Sequence, residues 1–388
     1  MRIVQAVRRG ASLRSAARRF KVHLRTVQRW IERAGDQRLS RADLRTRSSG
    51  PRTAANRTPR RTEQRILALR RELKEQSALG EYGARAIRQA LIDENARDIP
   101  CVRTIGRILS RHGVLDGNRR VRRPPPPRGW YLPDLAAGEV ELDSFDIVED
   151  LVIQGGVPVN VLNGISLYGG LCASWPEPQI TAKIVVERLV EHWRRFGLPA
   201  YCQFDNGTVF QGAHQWPDSF GRVTRLCLSL GVTPVFAPPR ETGFQAAIEG
   251  YNGRWQSKVW RRFAHPDRDA LRWRSDAFVA AAHARGAARI DAAPQRRPMP
   301  VGWTFDLQTP LKGTAIFIRR TNENGCVHLL GHQFPVSGDW PHRLVRSEVD
   351  LTRGAIRFHA LRRREPRQQP LLKEQPYATP NKRFNDRR

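Results

Sequence analysis

From Val140 to Phe263 short apolar runs alternate with longer amphipathic segments, an order that demands a sheet covered by helices, the α/β class. Val140 to Ile147, Val157 to Ile165 and Gly169 to Trp175 predict three successive strands. Ile180, Ile184, Leu189, Trp193 and Phe196 then recur at helical spacing, and Tyr201 to Phe204 predicts a short strand ending at Asp205. A helix over 216–230, a strand at Val232 to Phe236 and a long helix from Gly243 to Phe263 complete the expected order.

The flanks predict further modules in a chain of 388 residues, too long for one core. Ser12 caps a helix carrying Leu13, Ala16, Ala17 and Phe20, and Lys21-Val22 turns the chain into a second helix with Val27, Trp30 and Ile31 inward, ended by Gly35. Its outward Arg25, Thr26, Gln28 and Arg29 are types that reach base edges and phosphates from a major groove. Residues 1–37 therefore predict a helix-turn-helix, and 38–62 a basic linker. Residues 63–116 repeat that logic in three helices, the last opened by Pro100, with Arg103, Thr104 and Arg107 facing DNA. An Arg- and Pro-rich linker is expected over 117–134, the central domain over 135–265 and a helical extension over 266–306. Alternating residues with an Asn324-Gly325 turn between Ala315–Ile318 and Val327–Leu330 predict a small β-barrel over 307–361, and 362–388 reads as a disordered basic tail.

Lys and Arg number 67 against 37 Asp and Glu, a net charge of +30, so a polyanionic partner, double-stranded DNA, is expected. Five cysteines without a C-x-x-C pair read as reduced, and the ten histidines offer no zinc spacing. The sequence shows no signal-length apolar run and no membrane span, which predicts a cytoplasmic, nucleoid-associated protein without a membrane partner.

Cutting a phosphodiester needs an activated nucleophile and a stabilised leaving oxygen, and two divalent ions on carboxylates provide both. Mg²⁺ or Mn²⁺ takes hard oxygen ligands converging from separate elements. Three positions suit: Asp143 in the first strand, Asp205 at the end of the fourth, and Glu249 in the last helix, beside Asn252 and Gln256. Asp146, three places along an unbulged strand, falls on the face opposite Asp143 and is left out of this set. Arg254, Lys258 and Arg261 form a basic stripe on the same helix as Glu249.

The stretches Leu-Asp-Ser-Phe-Asp, Phe-Asp-Asn-Gly-Thr-Val-Phe and Gly-Phe-Gln-Ala-Ala-Ile-Glu-Gly-Tyr-Asn, in that order, resemble insertion-sequence transposases whose catalytic core is shared with retroviral integrases. The resemblance runs from the N-terminus to about residue 300. It implies a ribonuclease-H-like fold with Asp143, Asp205 and Glu249 as the metal-binding catalytic triad. The interval from Asp205 to Glu249 is longer than usual in that family, with residues near 212–219 reading as an insertion. Arg296, Arg297 and Pro298 stand where many relatives carry an Asn and an Arg-Pro-His element.

The expected activity is that of a DNA transposase or integrase, which frees a 3′-hydroxyl at a mobile-element end and transfers it to target DNA. Joining two ends to one target implies a homo-oligomer. A domesticated, non-cutting DNA-binding regulator and a structure-selective nuclease of the same fold are the rivals. Intact carboxylates count against the first and paired helix-turn-helix units against the second.

Overall fold

Three short helices, α1 (Arg2–Arg8), α2 (Leu13–Arg19) and α3 (Leu24–Ala34), open the computed structural model, which describes residues 2–42, 44, 57–77, 81–116, 128–212, 216–241, 243–362, 368–378 and 384. Ser12 accepts a hydrogen bond from the Ser15 amide at 3.2 Å, capping α2. Lys21, at φ +51°, makes the turn into α3, which Gly35 ends at φ +46°. Val4, Ala16, Ala17 and Val27 are buried between the helices, while Phe20, Trp30 and Ile31 are half-buried at the edge of this small core. Two units divide the chain, Met1–Gln64 and Arg65–Arg388.

The second helical cluster comprises α4 (Arg60–Gln76), α5 (Ala84–Asp93) and α6 (Val102–Arg111), packed through Ile66, Leu69, Ile87, Leu91, Ile105 and Ile108. It is tied to the body of its unit by Arg262, which donates to Lys74 O at 3.1 Å, Glu75 O at 2.9 Å and Ser77 O, carbonyls a helix end leaves unpaired. The expected linker lies largely outside the described residues, as does the proline run.

After the one-turn α7 (Pro133–Ala137), β1 (Leu142–Ile153), β2 (Val157–Ser166) and β3 (Cys172–Glu177) form an antiparallel meander. Next come α8 (Ala182–Phe196), β4 (Tyr201–Phe204), α9 (Thr208–Gln211), α10 (Arg222–Ser229), β5 (Thr233–Phe236), α11 (Ala246–Trp255) and α12 (Arg268–Asp291). β4 runs parallel to β1 and β5 parallel to β4. The helix expected over 216–230 is the shorter α10, which begins only at Arg222, and the helix expected to reach Phe263 passes from α11 into a π-helical turn, Gln256–Trp260.

Two layers of helix sandwich the sheet. On one face Phe145, Leu162, Phe204 and Phe236 pack with Leu189 and Trp193 of α8 and Val223 and Leu226 of α10. On the other, Val148, Val159, Val161 and Ile165 pack with Ile248, Tyr251 and Trp255 of α11 and Leu271 and Phe278 of α12.

The strands beyond residue 307 do not form the expected separate barrel. β6 (Thr314–Arg320) pairs in parallel with β5 through Val235–Ile316 and Phe236–Phe317, and β9 (Leu344–Asp350), β10 (Ala355–Ala360) and β11 (Leu371–Pro376) extend the same sheet. The nine strands run β11-β10-β9-β6-β5-β4-β1-β2-β3. β7 (Cys326–Leu329) and β8 (His332–Pro335) form a hairpin of their own, turning at Leu330-Gly331, both at positive φ. Asn324-Gly325 does make a turn, with the Gly325 amide on Asn322 O at 3.1 Å, but β6 pairs with β9 instead of β7. β11 is ordered against β10 within the stretch expected to be a disordered tail; residues 363–367, 379–383 and 385–388 of that tail lie outside the described residues. Among the described residues no helix is long and apolar enough to cross a membrane.

Candidate active site

The β1–β4 register decides which carboxylates meet. Asp143 pairs with Cys202 and Ser144 with Gln203, so two further parallel steps set Asp146 beside Asp205 at the carboxyl end of β4. Along β1 side chains alternate between faces until the irregularity between Val148 and Leu151. Asp143, Phe145 and Ile147 point to the α8 face, whereas Asp146 and Val148 point to the face that α11 covers. Glu249 is carried by α11, so of the two aspartates in β1 only Asp146 shares its side of the sheet.

Asp143 is instead a buried structural anchor, 1% exposed. Its carboxylate accepts from Trp193 Nε1 at 3.2 Å and from both terminal nitrogens of Arg296, one of them at 3.0 Å. Burial alone would lower the Arg296 guanidinium pKa, but the Asp143 charge and hydrogen bonds outweigh it and the pKa is raised. Arg297, next along, bridges to Leu198 and donates to Gly231 O at 2.8 Å, so the Arg-Arg-Pro segment straps the underside of the core. The structure therefore does not bring Asp143 to Asp205 and Glu249.

Asp146 is half-buried, and a polar chain holds it. Asn252, one turn beyond Glu249 on α11, donates from Nδ2 to Asp146 Oδ2 at 2.7 Å and accepts from Asn163 Nδ2 at 2.9 Å. The Ser174 hydroxyl donates to Asn163 Oδ1 at 2.6 Å and meets the Tyr251 hydroxyl at 2.7 Å. Because each amide has its oxygen and nitrogen committed, Asn252 can present only a donor to Asp146. Burial pushes the Asp146 carboxyl up to about 6, and the negative charges of Asp205 and Glu249 push the same way.

Asp205 is fixed by the loop after β4. Its Oδ1 accepts from the Gly207 amide at 2.8 Å, and a Cβ at Gly207 would lie 3.0 Å from that oxygen. Asn206 donates to Ala237 O at 2.7 Å and accepts from Arg319 of β6 at 2.8 Å, tying the loop to two neighbouring strands.

Among the described residues no Lys, Arg or His pairs with Asp146, Asp205 or Glu249, in a chain whose formal charge is +30. Nor do any three His, Cys, Asp or Glu side chains among them stand close enough to ligate one ion. Carboxylates from three elements, two of them register neighbours and none in an ion pair among the described residues, suit Mg²⁺ or Mn²⁺. Such ions are often held by one or two carboxylates with substrate phosphate completing the shell.

Of the residues expected at DNA, Arg25, Gln28 and Arg29 are exposed on α3 and Thr26 is half-buried; Arg103 and Arg107 are exposed on α6, where Thr104 is half-buried beside Cys101. Arg254 and Arg261 are exposed, while Lys258 is half-buried with its ammonium 5.5 Å from the Tyr82 ring centre. The signal that finds Asp146 lies in β1 itself: residues sharing a face with Asp143 are Phe145 and Ile147, the mark of a packed side, whereas those flanking Asp146 two places away are Ser144 and Val148.

Residues 1–40 match the family of homeodomain-like domains. Among solved structures, the chain is similar to a chain of a simian T-cell lymphotropic virus intasome in complex with a PP2A regulatory subunit, at 15% identity and TM-score 0.33, covering 70% of this chain and 87% of that one. It is also similar to the HTLV-2 integrase catalytic core domain in complex with magnesium, at 12% identity and TM-score 0.26, covering 37% and 83%. A third is the BIV integrase catalytic core domain, at 16% identity and TM-score 0.27, covering 37% and 81%. Likeness at this level assigns nothing.

Proposed function

We propose that the protein is a DNA strand transferase of the transposase and integrase kind, using Asp146, Asp205 and Glu249, not Asp143, as its metal-binding carboxylates. The observation that carries this reading is the convergence of Asp146 and Asp205, from adjacent parallel strands, toward Glu249, with no cation paired to them among the described residues of an otherwise strongly basic chain. The ions, when bound, would make a water or 3′-hydroxyl nucleophilic and stabilise the departing oxygen. Asn252 orients Asp146, Asn206 and Gly207 hold the Asp205 loop, and the helices carrying Arg25, Arg29, Arg103 and Arg107 grip DNA ends. Residues 1–40 support the DNA-binding part independently, since homeodomain-like helices read the major groove. Two ends joined to one target require a homo-oligomer on DNA.

The test is strand transfer by the purified full-length chain, with Mg²⁺, duplexes copied from the DNA flanking its coding region, and a plasmid target. Wild type is expected to yield joined product and Asp205→Asn none, with duplex binding retained. Specific binding without joining by either protein would replace this reading with a non-cutting regulator.

A further inference from the structure

Asp146 is the cross-strand partner of Asn163, and Asn163 that of Ser174, so the three form one row across β1, β2 and β3 on the face that α11 covers. The next rows on that face are apolar on both sides, Val148 opposite Val161 and Ile165 opposite Cys172. Asn163 and Ser174 are buried, as is Tyr251 above them. Burying an amide and two hydroxyls under a helix is costly unless each is hydrogen-bonded, and all three are.

The hydrogen bonds of this row run one way. An ionised Asp146 only accepts, so Asn252 donates to it, and Asn252 Oδ1 is left to accept from Asn163 Nδ2. Asn163 Oδ1 accepts from Ser174 at 2.6 Å, which commits the one hydroxyl proton of Ser174. The Tyr251 hydroxyl, 2.7 Å from Ser174 Oγ, must therefore be the donor in that pair. Tyr251 and Asn252 are consecutive residues of α11. A ring thus closes through Asn252, Asn163, Ser174 and Tyr251, with Asp146 held at its edge, and it ties α11 to all three strands.

The helix has need of such a tie. Ile248 packs on the sheet by apolar contact, which resists separation but sets no direction. Gly250 and Gly253, on either side of Tyr251 and Asn252, have open space where a side chain would stand, and glycine favours a helix less than any residue but proline. Glu249, exposed, is only two residues from Tyr251, so a rotation of α11 moves its carboxylate relative to Asp146. We propose that Ser174 and Asn163 are positioning residues for the metal-binding carboxylates: their hydrogen bonds to Tyr251 and Asn252 set the rotation of α11, and with it the place where Glu249 meets Asp146. This rests on the reading of Asp146 and Glu249 as metal ligands.

The experiment measures binding of Mn²⁺ alone to the full-length protein, from the loss of the free-ion electron paramagnetic resonance signal, with metal-free melting curves on the same samples. Ser174→Ala, which removes the hydroxyl, is expected to weaken Mn²⁺ binding about ten-fold, as when a group orienting a metal ligand is lost. Tyr251→Phe, which keeps the ring in the core, should weaken it likewise, and Ser174→Thr, which keeps the hydroxyl, should restore most of the affinity. Wild-type affinity in a folded Ser174→Ala or Tyr251→Phe overturns the assignment, as does a Ser174→Thr that melts with wild type yet binds as poorly as Ser174→Ala. Asp205→Asn keeps the two readings apart, since it should lose Mn²⁺ whatever Ser174 does. No Mn²⁺ bound by wild type, or the wild-type amount bound by Asp205→Asn, removes the metal site and the positioning role with it. Loss in Asp205→Asn with none in Ser174→Ala removes the positioning role alone.

Discussion

Asp143 and Asp146 lie three positions apart on one strand and face opposite environments, so the same substitution has opposite consequences at the two. Asp143→Asn leaves Arg296 buried without its carboxylate, which costs about 3–5 kcal/mol. Asp146→Asn removes a repelled carboxylate. A carboxyl raised from 3.8 to about 6 stabilises the folded chain fully below pH 4 and loses that contribution as pH rises through 6. Metal-free wild type should therefore lose roughly 2–3 kcal/mol between pH 4 and 7 at this residue, and Asp146→Asn should melt higher than wild type at pH 7.5. Adding Mg²⁺ should raise the wild-type melting temperature and leave Asp146→Asn unmoved, because a ligand that binds only the native state stabilises it. Thermal melts over pH, with and without metal, check all of this. The sequence already placed Asp143 and Asp146 on opposite faces, and Asp205 and Glu249 on a strand end and a helix. Which face of β1 looks at the last helix depends on the side to which α11 crosses, a long-range matter that local alternation expresses only through Phe145 and Ile147.

Elements are where local signals were most legible. Ser12, Lys21 and Gly35 set the ends of α2 and α3, and the apolar alternation yielded the strand-helix order of the core. The Asn324-Gly325 signal marked a turn but did not say which strands it joins, since β6 pairs with β5 and β9 instead of β7. Two predictions belong here. Asn252→Ala should lower strand joining by about 10–100-fold with duplex binding intact, as expected when a group orienting a metal ligand is lost. If Arg25 and Arg29 each contact a phosphate, changing both to Ala should flatten the plot of log affinity against log salt by about two, read by anisotropy titration at several salt concentrations.

At the scale of the molecule, one sheet runs from the meander of β1–β3 to β11, and the site's loop is braced by Arg319 from its C-terminal half. The alternating pattern after residue 307 announced strands but not their destination, because a barrel and a sheet extension share the same period. Ending the chain at residue 307 should therefore strip β5 of β6, one of its two neighbours, expose Phe236 and abolish cooperative melting; a self-contained barrel would leave the core folded. The most direct test of the whole account is strand transfer in Mg²⁺ by Asp146→Asn beside wild type, with duplex binding and melting temperature recorded on the same samples. Asp146→Asn should join DNA roughly a thousand-fold more slowly, the loss of several kcal/mol of transition-state stabilisation, while binding duplex and melting at or above metal-free wild type. Joining by Asp146→Asn at the wild-type rate would contradict the placement of the catalytic carboxylates and, with it, the site proposed for this protein.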